Sequence, residues 1–480
     1  MTNMAITRRG FMKAAATATA ALGVAGAPVL LDEVDQAFAD STPKREKHKT
    51  ACHGCTNCCP VCVYTEDGVV VKIEGDPDGP LNKGGVCLKC LSQIQTVYSP
   101  RHVLHPMKRV GDRGQNQWEA ISWDEATDLA GEQIATAVEK YGPYSYWSAR
   151  GGGGAYIEWE TWGLDYTFGG CNSLASGACQ CAMPRDFVST TSVGFNCCVD
   201  MDNVDRWVGV VDNAELDGKR RDDTERVFVL WGSQPHSSKA AHGGHGLVDA
   251  RSNLGVKSVV VDPYLTAEAA KADVWLPVRP GSDCALMLSW IRYIIDQKAY
   301  DEPFVKYWTN LPFLINPDTR LAYRAEEVWP DYVNPAADPD DVYDTPAYVC
   351  FDARTNTIQP FPFTAPGDSP VDPVVFATAT VNGKEAKCAG PVGWEEAAPW
   401  TLEAAAETCW LKPEKIQEAI ELYINADFGG ISNGVFSDHQ ENSSTAPLGA
   451  LAIDSLLGFV ETPLSAFQNH GPASLTPDRP

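Results

Sequence analysis

Residues 52–62 read Cys52-His53-Gly54-Cys55-Thr56-Asn57-Cys58-Cys59-Pro60-Val61-Cys62, and after a run of strand character the chain returns to Cys87-Leu88-Lys89-Cys90. Seven of the chain's sixteen cysteines fall within this stretch of a 480-residue sequence. Thiols packed this densely point to metal binding or disulfides, because isolated core cysteines do not cluster. One pairing joins Cys52-x-x-Cys55 to Cys87-x-x-Cys90, as in a zinc ribbon. Its 31-residue separation is longer than the usual ~15–20 residues, and it leaves Cys58, Cys59 and Cys62 unused. A second pairing takes Cys52-x2-Cys55-x3-Cys59 and, after 27 intervening residues, Cys87. Four thiolates in that arrangement suit a 4Fe-4S cube, with three ligands from one loop and the fourth from a distant turn. The register Cys55-x2-Cys58-x3-Cys62 has the same internal spacing.

The other nine cysteines are scattered (171, 179, 181, 197, 198, 284, 350, 388 and 409), which is not the pattern of a small disulfide scaffold. Apolar residues make up 44% and aromatics 10% of a chain long enough for two to four domains. A formal charge of −25 argues against a nucleic-acid surface, which needs clustered Lys and Arg.

Residues 1–39 read as an export signal. Thr7-Arg8-Arg9-Gly10-Phe11-Met12-Lys13 precedes an Ala/Gly-rich run, and Ala37-Phe38-Ala39 offers a small-x-small cleavage site. The adjacent arginines followed by Phe11 make it similar to a twin-arginine signal. The expected location is the periplasm or the outer face of the cytoplasmic membrane. The competing reading, a membrane anchor, is weakened by Pro28 and by the low hydrophobicity of the run.

Between the two cysteine groups, a strand, an Asp67-Gly68 hairpin turn and a second strand lead out through Gly75-Asp76-Pro77. Ser122, with Glu125 three residues on, opens a helix over 123–140 with apolar positions at Ala126, Leu129, Ile134 and Val138. Buried strands are expected over 227–231 and 256–261, with a helix between them. This is a parallel α/β unit, which places ligands at its strand carboxyl ends. Arg279-Pro280-Gly281-Ser282-Asp283 precedes a helix over 285–297. Residues 311–399 are rich in Pro and Asp and poorly periodic, with strands expected at 348–351 and 374–381. Helical period returns at 400–423.

The block from the cysteines through Asn82-Lys83-Gly84-Gly85-Val86-Cys87-Leu88-Lys89 resembles the iron–sulfur domain of the molybdopterin oxidoreductases of the dimethyl-sulfoxide-reductase superfamily. The resemblance covers residues 46–310 well and 400–465 weakly. It implies an α/β fold, with a small 4Fe-4S domain carrying β-hairpins over 46–108 and a Rossmann-like parallel α/β pterin-binding domain over 109–310. An irregular insertion over 311–399 and a return segment over 400–480 follow. The family's C-terminal β-barrel-like cap is expected to be missing.

The implied cluster ligands are Cys52, Cys55, Cys59 and Cys87, with Lys89 between cluster and pterin. Cys90 stands where the family usually has Gly, and Cys58, Cys62 and Cys90 are left as spare thiols. Cys181-Ala182-Met183-Pro184 matches the family's C-x-x-P context for a thiolate on molybdenum or tungsten, with Cys179 as the alternative. The family's Trp-Gly-x-Asn-Pro turn corresponds to Trp231, Gly232, Ser233 and Pro235, with Gln234 in place of Asn. Asp262, Arg279, Gly281 and Asp283 complete the implied contacts to a bis-molybdopterin guanine dinucleotide. His236, His242 and His245 lie near that turn, either as solvated loop residues or as proton donors on the substrate side. The implied partners are a small-molecule substrate and an iron–sulfur electron-transfer subunit or membrane anchor subunit. The overall pattern is similar to exported catechol dehydroxylases, with polysulfide or thiosulfate reductase and formate dehydrogenase as other branches. An exported zinc-binding structural protein or an inactive remnant are the readings of another class.

Overall fold

Arg226–Trp231 (β8) buries every residue but its first, as a strand covered on both faces must. It is the centre of a four-stranded sheet in a computed structural model. The structure describes residues 44–55, 58–79, 82–150, 163, 167, 173–175, 183–193, 225–238, 240–335, 346–362 and 366–460. The segment 1–39, the glycine turn after Arg150, Cys179 and Cys181 lie outside the described residues.

Three short units precede this sheet. Arg45–Ala51 (β1), Pro60–Glu66 (β2) and Val69–Gly75 (β3) form an antiparallel sheet in the order β1-β2-β3. Asp67 and Gly68 both have positive φ, 49° and 82°. The Asp-Gly pair suits that requirement of a two-residue hairpin turn, so the expected hairpin is present. Two short helices follow, Leu88–Leu91 (α1) and Gln93–Val97 (α2). Met107–Arg109 (β4) then pairs antiparallel with Trp118–Ala120 (β5). Trp123–Tyr141 (α3) starts where the sequence places it, with Ser122 Oγ accepting from Glu125 N at 3.1 Å. Ala126, Leu129, Ile134 and Val138 are half-buried along one stripe, and no residue of α3 is fully buried. Ser148–Arg150 (β6) runs parallel to Ser173–Ala175 (β7). Met183–Val193 (α4) follows.

In the main sheet β8 runs parallel to Lys257–Val261 (β9), and β9 to Val274–Leu276 (β10). On the other side of β8 lies Phe428–Asn433 (β16), also parallel. The order β10-β9-β8-β16 reverses direction at β8. In open parallel sheets, the crevice outside the strand carboxyl ends at such a reversal is where ligands bind. Pro235–Ser238 (α5) and His245–Leu254 (α6) connect β8 to β9, with a π-helical turn over 240–244 between them. The helix expected between the two strands is therefore present, beginning after the π-helical turn.

Asp283–Asp296 (α7) packs beneath the sheet, followed by Glu302–Trp308 (α8). The 311–399 segment contains more regular structure than its composition promises. Leu314–Ile315 (β11), Lys384–Cys388 (β15) and Thr378–Val381 (β14) form one antiparallel sheet. Ala325–Val328 (α9) lies in the same segment, and Tyr348–Asp352 (β12) pairs with Thr357–Phe361 (β13) in a hairpin. Ala389–Ala397 (α10), Leu402–Cys409 (α11) and Pro413–Ile424 (α12) lead back to β16, and Thr445–Leu456 (α13) closes the core. Trp231, Trp290 and Tyr423 pack in a row through that core, edge-to-face and tilted, at 5.8 and 5.9 Å between ring centroids.

Candidate metal centre and cofactor crevice

The cysteine loop is closed by its own backbone. Cys52 N donates to Cys59 O at 2.9 Å, and Gly54 N approaches Cys52 Sγ at 3.3 Å. Asn82, almost fully buried, holds the second group against the first: its Nδ2 donates to Pro60 O (2.9 Å) and Gly85 O (2.7 Å). Gly75 passes so close to the backbone of Gly84 that no side chain fits there. Cys52 and Cys59 are buried, Cys55 and Cys87 half-buried, and none of the four is in a disulfide.

Of the three thiols read as spare, Cys58 is half-buried, whereas Cys62 and Cys90 are buried. Cys90 sits apart from the other two in kind. It packs in one apolar cluster with Cys52, Cys59 and Val61. Burial, the hydrogen-bonded Cys52 thiol and the neighbouring Cys87 and Cys59 push its own thiol up to about 12. No group of three or more Cys, His, Asp or Glu among the described residues stands at the spacing of a single ion.

Lys89 leaves α1 and donates from Nζ to Ser238 O at 2.7 Å, at the end of α5. It thereby ties the cysteine region to the turn that follows β8. Ala241 also packs against the cysteine cluster. The turn itself is tight. Gly232 has φ 59°, and Gly434 after β16 crosses its carbonyl so closely that a Cβ at Gly434 would collide with it. Gly434 N donates to Trp231 O at 2.9 Å, fastening the two strand ends together.

The expected crevice residues gather here in two ways. Trp231 is fully buried, and its indole Nε1 donates to Asp283 Oδ1 at 2.7 Å. These two side chains are engaged with each other in the core, so a ligand would meet the Trp231 backbone rather than its ring. Burial pushes the Asp283 carboxyl up, with the Trp231 N–H acting in the opposite direction. Pro235 is buried at the start of α5, beside the half-buried Ser233. Asp262 directly follows β9, almost fully buried, accepting from Tyr264 N at 2.9 Å. Arg279 is anchored by its N–H to Cys409 O (2.9 Å), and its guanidinium lies over the Trp410 ring at 5.0 Å. Gly281 (φ 82°) turns the chain into α7.

Three contacts escaped the sequence. His236 donates its backbone N–H to Glu268 Oε1 (2.8 Å), and its Nδ1 lies 2.9 Å from the same oxygen of a buried side chain, so this histidine is paired rather than merely solvated. Arg185, on α4 directly after the C-x-x-P segment, donates to Asn433 O at 2.9 Å, which brings that helix to the carboxyl end of β16. Trp410 holds Arg279 from a left-handed position (φ 59°). Only the Arg185 position carried a signal, its place just after Pro184.

A family model for the molybdopterin oxidoreductase Fe4S4 domain matches residues 46–99, and one for molybdopterin oxidoreductase matches residues 103–383. The chain belongs to the molybdopterin oxidoreductase family. The match runs past residue 310 into the small antiparallel sheets. Among curated relatives, a Halobacterium salinarum protein provisionally assigned as the catalytic chain of a dimethyl sulfoxide reductase is 29% identical, over 90% of this chain and 50% of its own. Dopamine dehydroxylase of Eggerthella lenta is 30% identical, over 66% of this chain and 30% of its own. Acetylene hydratase from Pelobacter acetylenicus shares the fold with a TM-score of 0.54 at 19% identity, covering 87% of this chain and 44% of that one. The chain spans half or less of the length of these relatives.

The residues of this molybdopterin oxidoreductase chain fit the groups its family implies. Soft thiols from two loops, none of them in a disulfide, suit iron. At the strand ends, Asn433 Oδ1 is buried without a hydrogen-bond partner. Leaving such an acceptor unmet is costly, and a pterin or guanine N–H is the kind of donor that would meet it.

Proposed function

We propose that this chain is the cofactor-holding part of an exported molybdenum or tungsten oxidoreductase that acts on a small substrate. Its cluster ligands are Cys52, Cys55, Cys59 and Cys87. The observation that carries the reading is the Lys89 Nζ–Ser238 O bond of 2.7 Å, which joins the thiol-rich loop to the turn at the sheet's reversal point. Lys89 is thus one side chain through which the two regions meet, beside the Ala241 contact, and electrons moving between them would have a short path there.

The pterin-bound metal, when present, supplies oxygen-atom or hydride-equivalent transfer. Gly232 and Ser233 offer backbone close to a ligand, Asp262 and Arg279 offer charge, and Gly281 opens the turn between them. Asp283 keeps Trp231, and with it the turn, in place. Cys181 is proposed as the metal thiolate, with Cys179 as the alternative; both precede the helix that Arg185 ties to β16. Export through the twin-arginine route rests on Arg8-Arg9-Gly10-Phe11. An iron–sulfur or membrane-anchor partner is in keeping with relatives whose names mark them as single components of larger enzymes, such as those of sulfite dehydrogenase from Allochromatium vinosum and dimethylsulfide dehydrogenase from Rhodovulum sulfidophilum.

For the substrate class, the likeness to dopamine dehydroxylase supports reductive removal of an aromatic hydroxyl from a catechol. Elemental analysis of the anaerobically purified protein tests the core of the proposal. Iron with acid-labile sulfide, together with molybdenum or tungsten, is the expected result. Zinc without iron overturns it.

A further inference from the structure

We infer that Glu268 is a positioning residue: its carboxyl group grips His236 and so holds the Ser238 carbonyl where Lys89 reaches it. The inference rests on the reading of the thiol-rich loop as a cluster site, and it adds a residue outside the implied cofactor contacts.

The turn that receives Lys89 is too short to hold itself. α5 is four residues long, and a helix of that length has too few internal bonds to offset the cost of ordering it. Pro235 has no N–H, and Ser237 N and Ser238 N both donate to Gln234 O at 3.0 Å. His236 N takes its acceptor from outside the turn, donating to Glu268 Oε1 at 2.8 Å. The same oxygen lies 2.9 Å from His236 Nδ1. A carboxylate oxygen accepts, so Nδ1 carries the proton, and one atom fixes both the backbone and the ring of His236.

Glu268 is itself firmly seated. Its side chain is almost fully buried. It lies in a tight turn in which Ala269 N donates to Thr266 Oγ1 and Lys271 N to Glu268 O, each at 3.0 Å. Ala269 packs in one apolar cluster with Phe228 and Leu230 of β8, so the position of the sheet is passed on to α5. Gly244 closes on the same place: an added Cβ there would meet His236 Cα at 2.9 Å. A buried carboxyl group is tolerated only where it is bonded. Among the described residues, both side-chain bonds of Glu268 go to His236. Two positions further on is the carbonyl that accepts from Lys89 Nζ at 2.7 Å.

Removing this grip frees the start of α5, moves Ser238 O and turns Lys89 Nζ toward water. Lys89 stands between Cys87 and Cys90 in the chain, so its charge then leaves the thiol region. A nearby cation favours the reduced, more negative form of an iron–sulfur cluster, and its departure lowers the reduction potential.

The test compares Glu268→Gln with Glu268→Ala, in the wild-type and in the Lys89→Ala background. Gln and Ala carry the same charge at this position, but only Gln keeps an acceptor for His236. Two readouts are taken on anaerobically purified protein. One is the rate at which Lys89 is acetylated by an amine-reactive ester, measured by mass spectrometry against the exposed Lys298. The other is the reduction potential of the cluster, followed by electron paramagnetic resonance. Glu268→Gln is expected to label Lys89 at the wild-type rate and Glu268→Ala several-fold faster, with equal iron content. The potential of the Ala variant is expected below that of the Gln variant, and this difference is expected to vanish in the Lys89→Ala background. Wild-type labelling in Glu268→Ala, or equal potentials for Gln and Ala, overturns the inference and leaves the cluster reading standing. So does a difference in potential that persists without Lys89. A wild-type protein without iron sinks the cluster reading, and labelling alone then decides whether Glu268 holds Lys89. Should Glu268→Ala not be recovered folded, Glu268→Leu, which fills the buried space, takes its place. If neither folds while Glu268→Gln does, Glu268 supports the whole core rather than this turn, and the inference is overturned.

Discussion

β1 has no buried residue, whereas five of the six residues of β8 are buried. The contrast extends to the units around them. The cysteine region gathers its core from Cys52, Cys59, Cys90 and a single fully buried aliphatic, Val61. The main sheet packs on a continuous cluster that includes Trp231, Trp290, Tyr423 and many aliphatics. Apolar burial at roughly 25 cal/mol per Å² is ample for the second region and thin for the first. The first region is held by backbone bonds, by Asn82 and by whatever its thiols bind. With the proposed cluster bound, metal binding would contribute folding free energy for residues 44–99, while the sheet holds its fold by packing and buried hydrogen bonds.

The most severe way to break this contrast is Cys59→Ala. It removes a proposed ligand and a buried thiol of the cysteine cluster while leaving the Cys52 N–Cys59 O bond in place, and the expected outcome is loss of iron together with faster hydrogen exchange across 44–99. Exchange over β8, β9 and α7 is expected to stay at its wild-type rate. Loss of protection in both regions at once would show that they form one cooperative unit.

Trp290→Ala is the reciprocal test, next in size. Trp290 is fully buried between Trp231 and Tyr423. Truncating it should cost about 3–5 kcal/mol, read as a lowered midpoint of chemical unfolding of the sheet, with iron content per folded molecule unchanged.

The same contrast explains what the sequence disclosed. The Asp67-Gly68 turn, the strand runs after Arg226 and Lys257, and the Ser122 cap are local signals, and each is where its residues place it. The pairing of β16 with β8 joins residues about 200 positions apart, and no local pattern specifies which strand end meets which. The orphaned Asn433 and the Arg185 bond follow from that pairing and were equally hidden. Trp231 and Asp283 were legible as residues of the crevice, but their bond to each other depends on how α7 docks under the sheet. Cys90 was visible as an extra thiol. Its place among Cys52, Cys59 and Cys87 depends on the fold of the 52–55 loop against α1.

A sharper probe of the main core is its one buried carboxyl on α13. Asp454 accepts from Tyr423 Oη at 2.6 Å and from Ile431 N at 3.2 Å. Burial raises it to about 7, and burial beside Asp454 likewise keeps the Tyr423 phenol protonated, well above its usual range. Since an unfolded Asp titrates at about 3.9, the folded state holds the proton more tightly. The contribution to stability is complete below about pH 4 and is lost as pH rises to about 7. Asp454→Asn keeps an acceptor for Tyr423 and removes the titration. The fall in unfolding free energy between pH 4 and pH 7 should flatten in this variant. An unchanged slope would assign the pH dependence to other groups.

The smallest expected effect sits on the exposed side of the comparison. Helix α3 has only a half-buried stripe, so its start is more dependent on its cap than a helix buried in the main core would be. Ser122 Oγ accepts from Glu125 N at 3.1 Å, and Asp124 and Glu125 place negative charge in the first turn, where the helix dipole favours it. Ser122→Ala should cost about 1 kcal/mol. Because little tertiary packing compensates, the loss should appear as local exchange at residues 123–127 rather than as a shift in the global midpoint. If the global midpoint moves by the full amount instead, α3 is coupled to the main core more tightly than its half-exposed stripe implies. The division between a packed sheet and a lightly packed N-terminal part would then have to be redrawn to include α3 with the sheet.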